Sequence, residues 1–444
     1  MLIDFTQFVA IQGYFGAALV FLLSLNAVWL SNGRSLASLG DLARFIFVNG
    51  GYFYRVRYPH FHGSGFLPFA RQALFVVRFL QWVPQLALPV WRLTGRSPFA
   101  QAIDIVALYS GHGLDAQTYY LFELNRPEQR AQAAGYLTRF ETKNGLIYSL
   151  NKLFPKRRSG RRSPLGNKTD FARFCAEVGI RCVPGLARIR KGSIQWSDQA
   201  VPALLHDFFV KLEDGKGARG AGLYEYLPGR GHRTPSGAVA TTEAVLRTLA
   251  QRSMKEEGLL IQPRLVNHPG LSDLAEQSLI AIRVITCMDI VGNVIVAYAM
   301  LRVLGALEPR WRTKVEFAAP IDLTTGTLGR FTGDKGEMAT RWSDRHLVLQ
   351  RVPVAARLVP HFDAILATAR QAHQACGDRF IIGWDIACTP DGPVILEGNS
   401  YPDIEYPQRV HRAPVSESAM GPVLYRHLMM LDRSTALLDL IRKL

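Results

Sequence analysis

Apolar and polar positions change their spacing several times along this chain, and each spacing predicts a different element. Residues 14–30, YFGAALVFLLSLNAVWL, form an apolar run interrupted only by Ser24 and Asn26. Residues 44–61 and 69–93 then interleave Arg with bulky apolar side chains, a mixture suited to helices. From 101 to 150 apolar residues recur at mixed three- and four-residue intervals, predicting further helices with a boundary at Pro127. Beyond a basic, Gly/Ser/Pro-containing linker at 151–168, the amphipathic stretch NKTDFARFCAEVGI predicts one more helix. Short apolar runs follow, as buried strands require: Phe208 to Leu212, GLYEYL at 222–227, and Leu259 to Ile261. Residues 278–303 predict a hairpin about Gly292-Asn293, and their poor alternation implies cover on both faces. Phe380 to Ala387 and Val394 to Leu396 flank Thr389-Pro390-Asp391-Gly392, predicting another hairpin. The C-terminal LYRHLMMLDRSTALLDLIRKL predicts one or two amphipathic helices docked on a core.

The last hairpin carries chemistry. A turn centred on Asp391 sets Asp385 opposite Glu397, and Asn399 shares Glu397's face. Directly opposed residues of an antiparallel pair have Cα atoms about 4.5–5.5 Å apart. Two carboxylates at that distance repel, so the pairing calls for a positive charge between them. A solvated edge hairpin is the plain alternative. The sharper reading is a hard divalent cation: Mg²⁺ takes oxygen ligands and shares one or two carboxylates with substrate phosphates. Asp385, Glu397 and the Asn399 amide oxygen make a suitable set.

A place for phosphates lies upstream. The strand that carries Lys211 runs into a loop containing Gly215, Gly217, Gly220 and Gly222, with Lys216 and Arg219 among them. Glycines let the backbone approach an anion and turn its N–H groups toward it. The loop lacks the GK[ST] ending of a P-loop and is followed by a strand, not the helix of a dinucleotide fold. It is expected to be a flap over a nucleotide. The strand ending at Gln262-Pro263 offers backbone groups to an adenine edge, while a buried structural strand is its plain alternative. Arg283, in the middle of an apolar strand, is costly to bury without an anion, which is either a phosphate or one of the acids.

Composition narrows the setting. A chain of 444 residues with 48% hydrophobic content can form two or three domains. Its formal charge of +16 favours anionic partners. No nucleic-acid-binding module is visible, and the basic linker lacks interleaved aromatics, so nucleic acid is not expected as a partner. Five scattered cysteines with no CxxC pair suit a reducing compartment. Residues 1–100 hold eight Arg, no Lys and 20 of the 46 aromatics. They predict either contact with a membrane surface or a buried helical domain. No basic stretch precedes the first apolar run, so a cleaved signal peptide is not expected.

Taken in order, these motifs resemble the ATP-grasp superfamily and, within it, the sugar-transfer-associated ATP-grasp proteins. The closer likeness lies in NHPGL, PIDLTTGTLG and GWDIACTPDGPVILEGNSYPDIEYPQ, and the resemblance covers roughly residues 105–410. It implies an α+β class: an ATP-grasp fold of two α+β subdomains clasping ATP, preceded by a mostly helical, apolar N-terminal region. The implied domains are 1–100, apolar and Arg-rich; 101–165, helices and basic linker; 166–415, catalytic; and 416–444, a C-terminal helix. The implied ATP contacts are Lys168, Lys211, Glu213, Gly215, Gly217, Gly220, Gly222 and Gln262. Arg283 and Lys211 carry the catalytic roles, and Asp385, Glu397 and Asn399 hold Mg²⁺, with Mn²⁺ as a substitute. Asn267, His268 and Arg219 are candidates for the acceptor substrate. Residues 308–322 depart from the subfamily, with Glu316 and Phe317 where an Asn and paired glycines are expected before PID.

The activity implied is an ATP-dependent carboxylate–amine ligase working through an acyl phosphate in cell-surface polysaccharide or envelope synthesis. Its partners are then ATP and small-molecule or carrier-linked carboxylate and amine substrates, in the cytoplasm or at the cytoplasmic face of a membrane. Two rivals are a kinase that phosphorylates a hydroxyl and a non-catalytic, membrane-associated scaffold. His60 and His62 are read as loop residues, and Cys388 as packing.

Overall fold

A computed structural model describes residues 46–48, 53–55, 66–139, 142, 146–154, 162–197, 204–213, 221–255, 258–275, 278–304, 316–334, 341–349 and 351–432. The apolar run at 14–30, His60 and His62, most of the glycine-rich loop and residues 433–444 lie outside them. The chain forms two compact units. One comprises Met1–Ser149, Gly336–Arg341 and Asp403–Leu444; the other comprises Leu150–Lys335 and Trp342–Pro402.

In the first unit β1 (Ile46–Val48) pairs antiparallel with β2 (Phe53–Arg55), within the region expected to be mostly helical. Helices α1 (Phe66–Thr94), α2 (Pro98–His112), α3 (Ala116–Leu121) and α4 (Pro127–Ala131) follow. Their ends are written locally. The Ser97 hydroxyl accepts from the Ala100 N–H ahead of Pro98, and Asp115 accepts from the Thr118 N–H. Gly113 closes α2 in the left-handed region. One face of α1, including Phe75, Phe79, Val83, Leu86 and Val90, packs into a core with Ile105, Leu114, Tyr119 and Tyr136. The opposite face leaves Val77, Leu80 and Trp91 exposed, and Phe99 and Ile103 of α2 are exposed as well. Within α1, Leu74–Thr94 is long and apolar enough to cross a membrane, although a buried core helix passes the same test.

The second unit begins within α5 (Leu146–Leu153) and continues through α6 (Lys168–Glu177). The strands β3 (Ala187–Arg190), β4 (Ser193–Trp196), β5 (Phe208–Leu212), β6 (Gly222–Leu227), β7 (Gly231–Arg233) and β8 (Val239–Ala240) come next, then α7 (Thr242–Ser253) and β9 (Leu259–Pro263). They make a seven-stranded sheet in the order β4-β3-β9-β5-β6-β7-β8. Val245 and Leu249 of α7 pack on Ile189, Phe208, Val210 and Ile261 to form its core.

A second sheet follows α8 (Pro269–Ser272). It contains β10 (Ala281–Met288), β11 (Val294–Leu304), β12 (Glu316–Pro320), β13 (Thr332–Gly333), β14 (Ile381–Thr389) and β15 (Gly392–Asn399), with α9 (Phe362–Cys376) preceding β14. Its order is β13-β12-β11-β10-β14-β15, with every neighbour antiparallel. The central strands are buried along most of their length, as the poor alternation of β10 and β11 implies. His373 of α9 lies in this core. Burial lowers its pKa to about 4, so it stays neutral while its ring nitrogens meet Thr286 Oγ1 (2.7 Å) and the Arg379 carbonyl (3.0 Å).

The last helices, α10 (Glu405–His411) and α11 (Met420–Asp432), return to the first unit. The Gln408 side chain accepts from the Leu137 N–H (2.9 Å) and donates to its carbonyl (2.8 Å), while Arg412 Nε donates to Glu123 (2.7 Å). These contacts hold 403–418 to the helical unit, so the compact units part at 149/150 and 402/403. The division expected from sequence put boundaries at 165/166 and 415/416.

Gly398 sits directly across from Trp384, whose ring is fully buried and whose Nε1 donates to Thr286 Oγ1 (2.9 Å). A Cβ at Gly398 would lie 2.7 Å from Trp384 Cζ3 and 2.9 Å from Leu165 Cδ2. Gly398→Ala is expected to destabilise by about 1–3 kcal/mol, the usual cost of overpacking a tight core. Urea unfolding checks this, and an unchanged midpoint would show that the hairpin shifts to make room.

Candidate active site

The β14–β15 hairpin sets Asp385 opposite Glu397 and Gly383 opposite Asn399. The pairing expected from sequence is present, but it is reached differently. Thr389 pairs with Gly392, so the two turn residues are Pro390 and Asp391 and the turn is centred between them. Ile386 then faces Ile395, and an irregularity between Asp385 and Ile386 leaves Leu396 as an extra residue. That bulge shifts the register by one and restores Asp385 to Glu397. Asp385 is buried, while Glu397 and Asn399 are half-buried at the sheet edge, with Asn399 Nδ2 donating to Glu397 Oε1 (3.3 Å).

The positive charge that the pair calls for is supplied by arginines. Arg283 lies across the ladder from Asp385 on the other side, so Arg283, Asp385 and Glu397 form one row over β10, β14 and β15. Arg283 forks the carboxylate, Nε to Oδ1 at 2.6 Å and Nη2 to Oδ2 at 2.8 Å. Arg302 of β11 adds Nη1 to Oδ1 at 3.1 Å. Its Nε and Nη2 grip Glu316 of β12 at 2.6 and 2.7 Å. Burial alone would raise the Asp385 pKa, but the charges of Arg283 and Arg302, with the hydrogen bonds from Arg283, hold it down to about 2. The ion pair weighed as the alternative for Arg283 is therefore present. Sequence reading missed Arg302 and the part played by Glu316. An Arg inside the apolar run AYAMLRV carries the same burial argument as Arg283, and that signal was available.

On the other sheet, β5 ends with Lys211, partly buried. Burial and the charge of Lys168 lower its pKa to about 8, against an opposing pull from Glu397. Lys168 and Glu397 are therefore each within electrostatic reach of Lys211. Lys168 opens α6 behind an Asn167 cap, and its Nζ donates to the Glu213 carbonyl (3.2 Å).

Glu213 differs from a nucleotide-facing acid. Its carboxylate is fully buried and takes hydrogen bonds from Arg188 Nε (2.9 Å), Arg190 Nε (2.9 Å) and Asn167 Nδ2 (3.3 Å). Burial pushes its pKa up, and Arg188 and Arg190 more than offset that, for a net lowering. Arg188 and Arg190, two apart on β3, share a face, a spacing visible in LARIR.

The Gln262 side chain also turns inward, its Nε2 donating to the Val183 carbonyl (3.3 Å). Asn267 uses both ends of its amide within a loop, donating to the Ser278 carbonyl (2.9 Å) and accepting from the Ile280 N–H (2.8 Å). His268 Nδ1 accepts from the Gly270 N–H at the start of α8. Asn267 and His268 thus shape their own loop in this ligand-free structure. Gly215, Gly217, Gly220 and Arg219 lie outside the described residues, while Gly222 opens β6 as expected.

Oxygen donors from Asp385, Glu397 and Asn399 suit a hard cation, not zinc or copper. Among the described residues no group of three or more His, Cys, Asp or Glu could hold a metal ion. Two carboxylates and an amide thus fit a cation that brings further oxygens with it, as Mg²⁺ bound to phosphates does.

Comparison with solved structures returns matches of low identity. The VanG D-Ala:D-Ser ligase of Enterococcus faecalis is 12% identical over 60% of this chain and 62% of its own, with a TM-score of 0.36. The biotin carboxylase domain of the Hydrogenobacter thermophilus 2-oxoglutarate carboxylase, solved with MgADP, ADP and bicarbonate, is 14% identical over 60% and 44%, with a TM-score of 0.34. D-alanyl-alanine synthetase A of Vibrio cholerae is 12% identical over 61% and 66%, with a TM-score of 0.36. The chain thus spans less than two thirds of each of these proteins. No curated protein matches it. The sugar-transfer-associated ATP-grasp family model, however, matches residues 151–418, more than half of the chain. The chain therefore belongs to the sugar-transfer-associated ATP-grasp family and has the ATP-grasp fold.

Proposed function

We propose that this protein is an ATP- and Mg²⁺-dependent carboxylate–amine ligase that works through an acyl phosphate in surface-polysaccharide or envelope synthesis. The observation that supports this is that Lys211 feels the charges of both Lys168 and Glu397, and that Glu397 is paired across the ladder with Asp385. Lys168 and Lys211 neutralise α- and β-phosphate charge. Asp385, Glu397 and the Asn399 amide oxygen would hold Mg²⁺, which when bound supplies charge neutralisation at the β- and γ-phosphates. Arg283 stabilises charge on the transferring phosphoryl group. The substrate carboxylate attacks the γ-phosphorus, the bond to the ADP oxygen breaks, and an amine then displaces phosphate to leave an amide.

The distinction from a kinase is chemical. With ATP, Mg²⁺ and a panel of candidate carboxylates, hydroxylamine is expected to give an ATP-dependent hydroxamate. ATP turnover that yields only a hydroxylamine-stable phosphate ester would establish the kinase reading instead.

Lys211 gives nucleotide binding a pH dependence. With its pKa near 8 in the ligand-free protein, the side chain is charged below that pH and neutral above it. Phosphate favours the charged form, so binding above pH 8 requires proton uptake. ADP affinity is expected to hold steady below pH 8 and to fall toward tenfold per unit above it. Lys211→Met should be weaker by about 10–100-fold, the worth of one charged hydrogen bond, and lack the fall. Calorimetric titration from pH 6.5 to 9.5 reads both, and the same pH profile in the variant would remove Lys211 from the site.

We further propose that the first unit rests on a membrane at its cytoplasmic face. Exposed Val77, Leu80 and Trp91 on α1 beside the exposed Arg92 support this, since Trp and Arg suit the headgroup region. The protein is expected to float with anionic phospholipid vesicles, and Val77→Ser/Leu80→Ser/Trp91→Ser to float less. Equal flotation of a folded variant would move the contact elsewhere.

A further inference from the structure

The two arginines on Asp385 are not equivalent. Among the described residues, Arg283 has Asp385 as its one hydrogen-bond partner and spends two nitrogens on it. Arg302 commits Nε and Nη2 to Glu316 and only Nη1 to Asp385. Three donors therefore crowd a buried carboxylate with about four acceptor positions. One acceptor position is left, beside two guanidinium groups, so a cation that takes more of Asp385 than that single lone pair displaces one of them. Among the described residues no second anion holds Arg283 back, whereas Arg302 is clamped by Glu316.

Glu316 completes the balance. Arg283 and Arg302 are matched by Asp385 and Glu316, and the charge of Glu397 is felt at Lys211. A cation arriving alone meets one available carboxylate and a second already neutralised, against the repulsion of two guanidinium groups. A cation arriving with phosphates meets a different situation. The phosphate oxygens give Arg283 a new anionic partner, and the departing fork exposes Asp385.

We propose that these arginines make metal binding conditional on phosphate binding. Arg283 is the exchanging member, passing from Asp385 to a phosphate oxygen. Arg302, anchored by Glu316, is the positioning residue that keeps Asp385 ionised and aimed once Arg283 has left. The proposal deepens the ATP-grasp reading and rests on it. It also gives a use to Glu316, which stands where the family pattern has an uncharged loop residue.

The test uses full-length protein with Mn²⁺ as probe, following loss of the free-ion electron paramagnetic resonance signal with and without ADP. Wild type is expected to bind Mn²⁺ at least about tenfold more tightly with ADP than alone. Arg283→Met should raise affinity for Mn²⁺ alone by about 10–100-fold, the worth of the charged contacts released from Asp385. Arg283→Gln serves if Arg283→Met does not fold. Arg302→Met should leave binding of Mn²⁺ alone weak and lower Mn²⁺ affinity in the presence of ADP, with partial recovery in Arg302→Lys. Glu316→Gln should shift the ADP-bound affinity in the same direction. Equal wild-type affinity with and without ADP, or no gain in a folded Arg283 variant that still binds ADP, would overturn the exchange while leaving the nucleotide site standing. Absence of any ADP binding by wild type would overturn the nucleotide reading itself, and the exchange with it.

Discussion

A carboxylate buried in the middle of a sheet must be neutralised where it stands, and the second unit is organised around that demand at Asp385. The group is 7% exposed and ionised. Leaving such a charge unpaired would cost several kcal/mol, more than most single contacts return. The neighbouring strands therefore carry complementary charge in register: Arg283 directly across on β10, and Arg302 one strand further out on β11. Glu316 on β12 then balances the second arginine. Four adjacent strands contribute to one network, so the register of each is constrained by charge as well as by apolar pattern.

The seven-stranded sheet meets the same difficulty with a different outcome. Glu213 is fully buried and held by Arg188, Arg190 and Asn167, and its backbone carbonyl receives Lys168. Its acid is surrounded by the framework and orients the lysine without facing a ligand. At Asp385 one side of the carboxylate borders the half-buried Glu397 and Asn399 at the sheet edge. Both acids are locked by paired arginines. Among the described residues only Asp385 is paired with a further carboxylate able to share a cation, and that makes it the candidate ligand.

Most of the secondary structure was legible because the signals were local. The strand around Lys211, the hairpin about Gly292-Asn293 and the helix opening at Lys168 each carry their own turn residues or cap. The Asp385–Glu397 pairing was also legible, although the turn alone would have set Asp385 against Leu396, and the bulge supplied the missing residue. Bulges leave no reliable mark in a single sequence, so agreement here owed something to compensation. What could not be read was which buried charges meet across strands distant in sequence. Arg283 and Asp385 are 102 positions apart, and Arg302 and Asp385 are 83 apart. The family resemblance placed Arg283 against a phosphate, and the ligand-free ion pair is invisible to it. The arginines that hold Glu213 could not be read either, because proximity to Lys211 in sequence says nothing about inside and outside at a strand end. The return of residues 403–418 to the first unit likewise depends on Gln408 meeting Leu137, 271 positions away.

A carboxylate already engaged by three donors looks at first like a poor metal ligand, since every contact it already makes must be weighed against the one it would gain. The geometry resolves this because the competitor is a group that itself prefers phosphate. A guanidinium fork matches a phosphate as well as it matches a carboxylate, so moving Arg283 from one to the other exchanges like for like. The cation then gains Asp385 at little net electrostatic cost, provided that phosphate is present. A lysine in place of Arg283 would hold Asp385 as a point charge without the planar fork that serves both anions. The residue types in this row are thus those that let a buried ion pair be stable when alone and yield when a phosphate arrives.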